Sequence, residues 1–314
     1  MKILLAYDGS ACSEAAIDDM VRAGLPSDTE CLVFSVAEVW LPPHDATAEH
    51  GDPYLEKILR HSRAKGEQKV NEARSLSEKA AARISAVFPT LKVSADATYG
   101  SPAWEIIAKS DEFGADLIII GSQGKGALER VVLGSVSQKV LTSAACSVRI
   151  ARGKVDTDPA PIRLLVGFDG SKGAAAAVDS ILRRSWPENT QALLLAATEP
   201  LKPSLIGALV PPIGETVEEI NQAEKEWLRQ QAGPAIEKLK NAGIDAAFEI
   251  VYGNPKSVLT ERADQWDADC IFVGANAFGS RFERFLLGST SAAVANRAHC
   301  SVEAVRVRGA APSD

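Results

Sequence analysis

Apolar positions along the chain follow two alternating rhythms. Short apolar, β-branched runs at residues 2–7, 31–37, 91–98 and 116–120, with a weaker one at 145–151, have the length of strands. Between them Val70, Ala73, Leu76, Ala80, Ile84 and Val87 recur at steps of three or four, the stripe of an amphipathic helix. Ser101 followed by Pro102 predicts an N-cap and a proline at the first position of a helix running through Trp104, Ile107 and Ala108. Strands alternating with helices predict right-handed crossovers and a mostly parallel sheet covered on both faces. The unbroken run Leu117-Ile118-Ile119-Ile120 suits a strand buried on both sides.

The pattern then repeats. The run from Lys2 to Ser10 returns from Arg163 to Ser171, an offset of 161, and Tyr99-Gly100-Ser101-Pro102 returns as Tyr252-Gly253-Asn254-Pro255, an offset of 153. Ala115-Asp116 matches Ala268-Asp269, Leu133-Gly134-Ser135 matches Leu287-Gly288-Ser289, and Cys146-Ser147-Val148 matches Cys300-Ser301-Val302. Matches in one order at a slowly drifting offset mark a duplication. Second-half strands are predicted near 163–168, 191–197, 246–251, 270–273 and 301–307. The expected organisation is a domain over 1–153, a linker over 154–161, a second domain over 162–308 and a tail over 309–314. The fold class is α/β: two duplicated, doubly wound, mostly parallel five-stranded domains. Trp40–Tyr54 and Glu199–Glu215, each after the second strand of its half, are read as proline-containing loops on the ligand edge, with the choice between a lid and a partner surface left open.

Composition fits this picture. A chain of 314 residues has the length of two domains, and 46% hydrophobic with 24% charged residues is ordinary for a globular protein. A formal charge of −7 offers no cation excess for nucleic acid. No apolar run approaches the roughly 18 residues of a membrane span, and the apolar start is too short for a signal peptide. Five cysteines without a C-x-x-C pair argue against disulfides and zinc and fit a reducing cytoplasm. His44, Asp45, His50 and Asp52 suggest a metal by composition, yet they lack regular ligand spacing and read as solvated loop.

In a doubly wound sheet, ligands sit outside the carboxyl ends of the strands where the strand order reverses. Strand one closes with Asp8-Gly9-Ser10 and strand four with Gly121-Ser122-Gln123-Gly124; a further helix start follows at Gly134-Ser135-Val136-Ser137. Two readings stand side by side. The loop either cradles phosphates on free N–H groups and a helix dipole, or is a glycine-rich loop whose Ser135 caps a helix. No Walker loop is present, and no G-x-G-x-x-G follows the first strand.

The spacing Gly121-x2-Gly124-x9-Gly134-Ser135, together with Tyr7-Asp8-Gly9-Ser10 and Leu133-Gly134-Ser135-Val136-Ser137, resembles the ATP-binding signature of the universal stress protein family. The resemblance covers both halves. It implies an adenine-nucleotide α-hydrolase-like fold binding ATP or AMP, with Mg as an optional companion. It assigns Asp8 to the adenine or its sugar, Ala6 to the base lining and the Val36 backbone to the adenine edge. Ile120 and Gly121 would flank the ribose, Gly124 and Gly134 approach the phosphates, and Ser135, Val136 and Ser137 donate to them. For Asp8 an Asx turn onto Ser10 is the alternative. Lys125 and Arg130 either balance phosphate charge or are simply solvated.

With no histidine near the loop, and Asp8 and Glu129 the only carboxylates counted there, a sensor that binds nucleotide and changes partners is preferred. A slow ATPase and a ligand-free scaffold are the alternatives. Family members pair their last strands, so 145–151 and 301–307 are expected to form an intrachain pseudo-dimer, with homodimerisation through other surfaces open. The second half keeps Asp169, Gly274, Gly288 and Ser289 as weaker counterparts. It replaces Gly124 by Ala277 and Val36 by Ala197, lengthens the loop by one residue and fills it with Phe278, Phe282 and Phe285, so the first half is expected to hold the competent site. Against this asymmetry, Gly279, Gly288, Ser289, Arg281 and Arg284 leave a looser anion site open there.

Overall fold

The computed structural model describes residues 1–39, 53–124, 133–152, 161–201, 211–275 and 287–306. The chain divides into two compact units, Met1–Met20 with Pro26–Arg152, and Val21–Leu25 with Gly153–Asp314. The expected linker up to residue 160, the tail and the strand-end position 307 lie outside the described residues.

The first unit runs β1 (Lys2–Ala6), α1 (Ala11–Asp19), β2 (Glu30–Ala37), α2 (Pro53–Val87), β3 (Lys92–Tyr99), α3 (Pro102–Phe113), β4 (Leu117–Gly121), α4 (Ser135–Ser143) and β5 (Ser147–Ala151). Its sheet is parallel, in the order β3-β2-β1-β4-β5. The order reverses between β1 and β4, where Ile3 pairs with Leu117 and Ala6 with Ile120. Ile3, Leu4, Leu5, Leu117, Ile118 and Ile119 are fully buried, as strands covered on both faces must be.

The second unit repeats this as β6 (Arg163–Gly167), α5 (Lys172–Leu182), β7 (Gln191–Thr198), α6 (Pro211–Asn241), β8 (Asp245–Tyr252), α7 (Pro255–Trp266), β9 (Cys270–Gly274), α8 (Ser289–Arg297) and β10 (Ser301–Val305), in the order β8-β7-β6-β9-β10. The registers coincide: Lys2 with Glu30 becomes Arg163 with Gln191, and Leu117 with Ser147 becomes Cys270 with Ser301. The repeat in sequence is a repeat in structure.

Three local expectations are corrected. Ser101 has the extended backbone of an N-cap before Pro102, but its side chain accepts no capping bond; in the second unit Asn254 accepts from the Lys256 N–H at 3.0 Å. Tyr54 belongs to a helix, because α2 starts at Pro53, and residues 211–215 open α6. Proline at a helix start forfeits no intrahelical bond, so these prolines begin helices instead of prolonging loops. Val87 falls off the α2 stripe and is half exposed, whereas Ala73, Ala80 and Ile84 are buried.

The central position of each fifth strand carries a buried charge. Arg149 of β5 is fully buried and grips Asp19 of α1 in a fork, Nε to Oδ2 at 2.5 Å and Nη2 to Oδ1 at 3.0 Å. At the same register of β10 stands Glu303, equally buried, which accepts from Arg184 and from Ser180 Oγ at 3.3 Å. Sign and partner are exchanged between the copies.

Candidate functional site

The turn after β1 is built by its own residues. Gly9 takes φ +75°, Asp8 Oδ1 accepts the Ser10 N–H at 3.0 Å, and Ser10 Oγ caps α1 by accepting the Ser13 N–H at 3.2 Å. The Asx turn is therefore present. The turn is made through Oδ1, and Oδ2 faces Gly124, where a β-carbon would lie 3.2 Å away.

The glycines after β4 are needed for room. None of Gly121, Gly124 and Gly134 has positive φ. A β-carbon on Gly121 would sit 2.6 Å from the carbonyl oxygen of Cys12, and one on Gly134 would touch the Gln123 Cα at 3.4 Å. The Gly134 N–H donates to the Ser122 carbonyl at 2.8 Å, and Ser137 Oγ donates to the Gly121 carbonyl at 2.7 Å. These bonds bring the start of α4 back onto the end of β4. The Ser137 hydroxyl hydrogen is thus spent inside the chain, and its backbone N–H remains to serve a ligand. No side chain caps α4, and the N–H groups of Ser135, Val136 and Ser137 meet no acceptor among the described residues. A bare helix N-terminus of this kind attracts an anion.

All ten first-unit residues singled out in the sequence (Ala6, Asp8, Val36, Ile120, Gly121, Gly124, Gly134, Ser135, Val136 and Ser137) line one cleft of about 860 Å³ at the carboxyl edge of the sheet. That volume suits a molecule of nucleotide size. Sequence reasoning missed its far wall, where Lys69, Glu72, Ala73 and Leu76 of α2 and Ile106 of α3 also face the cleft. Only the helical stripe, which included Ala73 and Leu76, hinted at them. It also miscounted the acids, since Glu38 and Glu72 join Asp8 in the lining. Hydrogen bonds from Lys69, at 2.9 Å, and Gln68, at 3.0 Å, hold the Glu72 carboxyl below its usual range. Behind the turn, burial and then a hydrogen bond to Glu14 push the Tyr7 phenol up to about 12.

The second unit repeats the scaffold. Asp169 Oδ1 accepts the Ser171 N–H at 3.0 Å, Gly274 packs against Gly173, the Gly288 N–H donates to the Ala275 carbonyl at 2.9 Å, and Ser291 Oγ donates to the Gly274 carbonyl at 2.6 Å. Ser289 opens α8 without a side-chain cap. Lys125, Glu129, Arg130, the four acid and histidine positions between 44 and 52, and the loop with Ala277, Phe278, Gly279, Arg281, Phe282, Arg284 and Phe285 lie outside the described residues. Among the described residues no group of three His, Cys, Asp or Glu side chains could hold a metal.

A model of the universal stress protein family matches residues 1–152 and again 162–306. The chain belongs to the universal stress protein family. A universal stress protein of Mycolicibacterium smegmatis is 27% identical over 308 residues, covering 98% of this chain and 97% of its own. Universal stress protein YxiE of Bacillus subtilis is 30% identical over 165 residues, 48% of this chain and 98% of that protein. Among solved structures, a universal stress protein from Archaeoglobus fulgidus shares the fold along 97% of this chain and 96% of its own, with a TM-score of 0.56 at 21% identity. Universal stress protein architecture thus extends over both units. Among the described residues no helix is long and apolar enough to cross a membrane.

Proposed function

We propose that the first unit binds an adenine nucleotide, ATP or AMP, in this cleft, and that the chain acts as a stress-response sensor through the change that binding imposes. The observation that supports this reading most is that three N–H groups at the start of α4, which meet no acceptor among the described residues, share one cleft with Asp8 and Val36. In this reading Ser135, Val136 and Ser137 hold the phosphates through backbone N–H groups. Gly124 keeps the loop close to Asp8, whose Oδ2 meets the sugar or base; Ala6, Ile120 and the Val36 backbone border the base. Gly121 shapes the ribose side by letting β4 close on α1. Phosphates pre-bound by N–H groups and a helix dipole need no catalytic group, and among the described residues no base is placed against them. The sensor reading accordingly takes binding without turnover.

Calorimetric titration of ATP and AMP into the full chain tests this. The wild type is expected to bind and Gly124→Val to lose at least tenfold in affinity, because a branched side chain would press on Asp8 Oδ2, 3.2 Å from the β-carbon position. Equal affinity in the two proteins would reject the site. Phosphate release well above background, lost in Gly124→Val, would favour a slow ATPase instead.

A further inference from the structure

The two units differ where the long helix passes the closing turn of the first strand. In α2 the buried positions are Gly66, Ala73, Ser77, Ala80 and Ile84, and in α6 they are Asn221, Leu228, Ala232 and Leu239; all four of the latter match at one constant offset, and Ala80 falls opposite the partly buried Ala235. This register sets Trp227 at the place of Glu72. In the first unit Glu72 and Asp8 line the same cleft, so the interval between α2 and the β1 turn is open. In the second unit the Trp227 indole crosses that interval. A β-carbon on Gly170, in the turn after Asp169, would lie 2.5 Å from Trp227 Cη2 and 2.9 Å from Cζ3. Gly170 has φ +73°, so glycine is required there by torsion and by the ring together.

The end of the cleft involved is the one the base would take. Ala73, next to Glu72, packs with Ala37 and Ala97 just past Val36, away from the phosphate-side residues of α4. An indole is a planar bicycle of purine size. We infer that Trp227 fills the purine place of the second unit and excludes a nucleotide from it. The inference rests on the nucleotide reading of the cleft. The rest of the second scaffold stands, with Asp169 in its turn and α8 uncapped beyond Gly288. Among the described residues, Trp227 is therefore what separates a filled edge from an open one. The side chain is 47% exposed, so replacing it does not hollow the core.

The test counts bound ATP per full chain at millimolar ATP by equilibrium dialysis, with folding checked by circular dichroism. The wild type is compared with Trp227→Ala and with Trp227→Glu, which restores the first unit's residue. One nucleotide per wild-type chain, rising to two in both variants, is expected. No gain in either variant, or two nucleotides on the wild type, overturns the inference. The readout is the difference between variant and wild type, so it survives failure of the first site. A wild type that binds none rejects the first-unit reading, and a gain of one in the variants would still support the role of Trp227.

Discussion

Tyr7 of the first unit and Phe168 of the second close the same strand and differ by one hydroxyl. Tyr7 gives that hydroxyl to Glu14, which also pairs with Arg83 of α2; Phe168 instead meets Phe248 edge-on at 6.0 Å between ring centres. The Tyr7 phenol is raised from 10 to about 12, so the folded state favours its neutral form. Its stabilising contribution is complete below the unfolded value and is lost as pH climbs from 10 towards 12. Urea midpoints measured across that interval should fall more steeply for wild type than for Tyr7→Phe. Parallel curves would reject the assignment. The sequence already marked the main residues of the cleft, because Asp8, the three glycines and Ser135 stand at strand ends and at a fixed spacing. What it concealed was why they are there. Gly121 is glycine because the Cys12 carbonyl is in the way, and the Ser137 hydroxyl faces Gly121 rather than open space. Contacts that span a loop's length or more than a hundred positions, as Ser137 with Gly121 and Gly121 with Cys12 do, leave no local pattern to read.

Elements were legible in proportion to how fully they pack. The central strands were recognisable because burial on both faces forces a continuous apolar run, whereas the edge strands β3 and β8, each with one buried residue, showed through their alternation and β-branched content. α2 was visible only over its later half, where Ala73, Ala80 and Ile84 meet the sheet. Its 35 residues span about 52 Å at 1.5 Å per residue. An eight-residue strand reaches about 26 Å, so the leading half has no sheet to face and its sequence shows no stripe. Helix ends supply a second comparison. α3 stops at Gly114 with φ +70°, whereas α7 stops at Asp267, which holds φ +56° with a β-carbon in place. Replacing Asp267 by Gly relieves that conformation, offset by the greater freedom of an unfolded glycine, for a net gain of a few tenths to about 1 kcal/mol. The lost ion pair with Arg163, at 3.5 Å with Asp267 94% exposed, subtracts little. The thermal midpoint should rise. A fall would show that the carboxylate does more in place than its pairing suggests.

At the scale of the molecule, duplication was the plainest message of the sequence, and the matching registers of the two sheets carry it into structure. Two near-copies in one chain create a hazard during folding, because either fifth strand can be offered to either sheet before each unit is complete. The exchanged charges at Arg149 and Glu303 bear on that choice. If β10 docked beside β4, Glu303 would be driven against Asp19, carboxylate on carboxylate; if β5 docked beside β9, Arg149 would meet Arg184. Unlike charges held in the buried site are tolerated, and like charges there cost several kcal/mol. Each strand therefore carries a mark of the copy to which it belongs, legible to the folding chain before any ligand is present. Erasing the mark with Asp19→Leu and Arg149→Met together should leave a chain that still folds but, refolded from urea and resolved by size, yields a larger misassembled fraction than wild type at matched stability. Equal fractions would mean that the copies are told apart by other means. A repeated sequence thus carries, at one buried position of each copy, opposite charges that tell the copies apart.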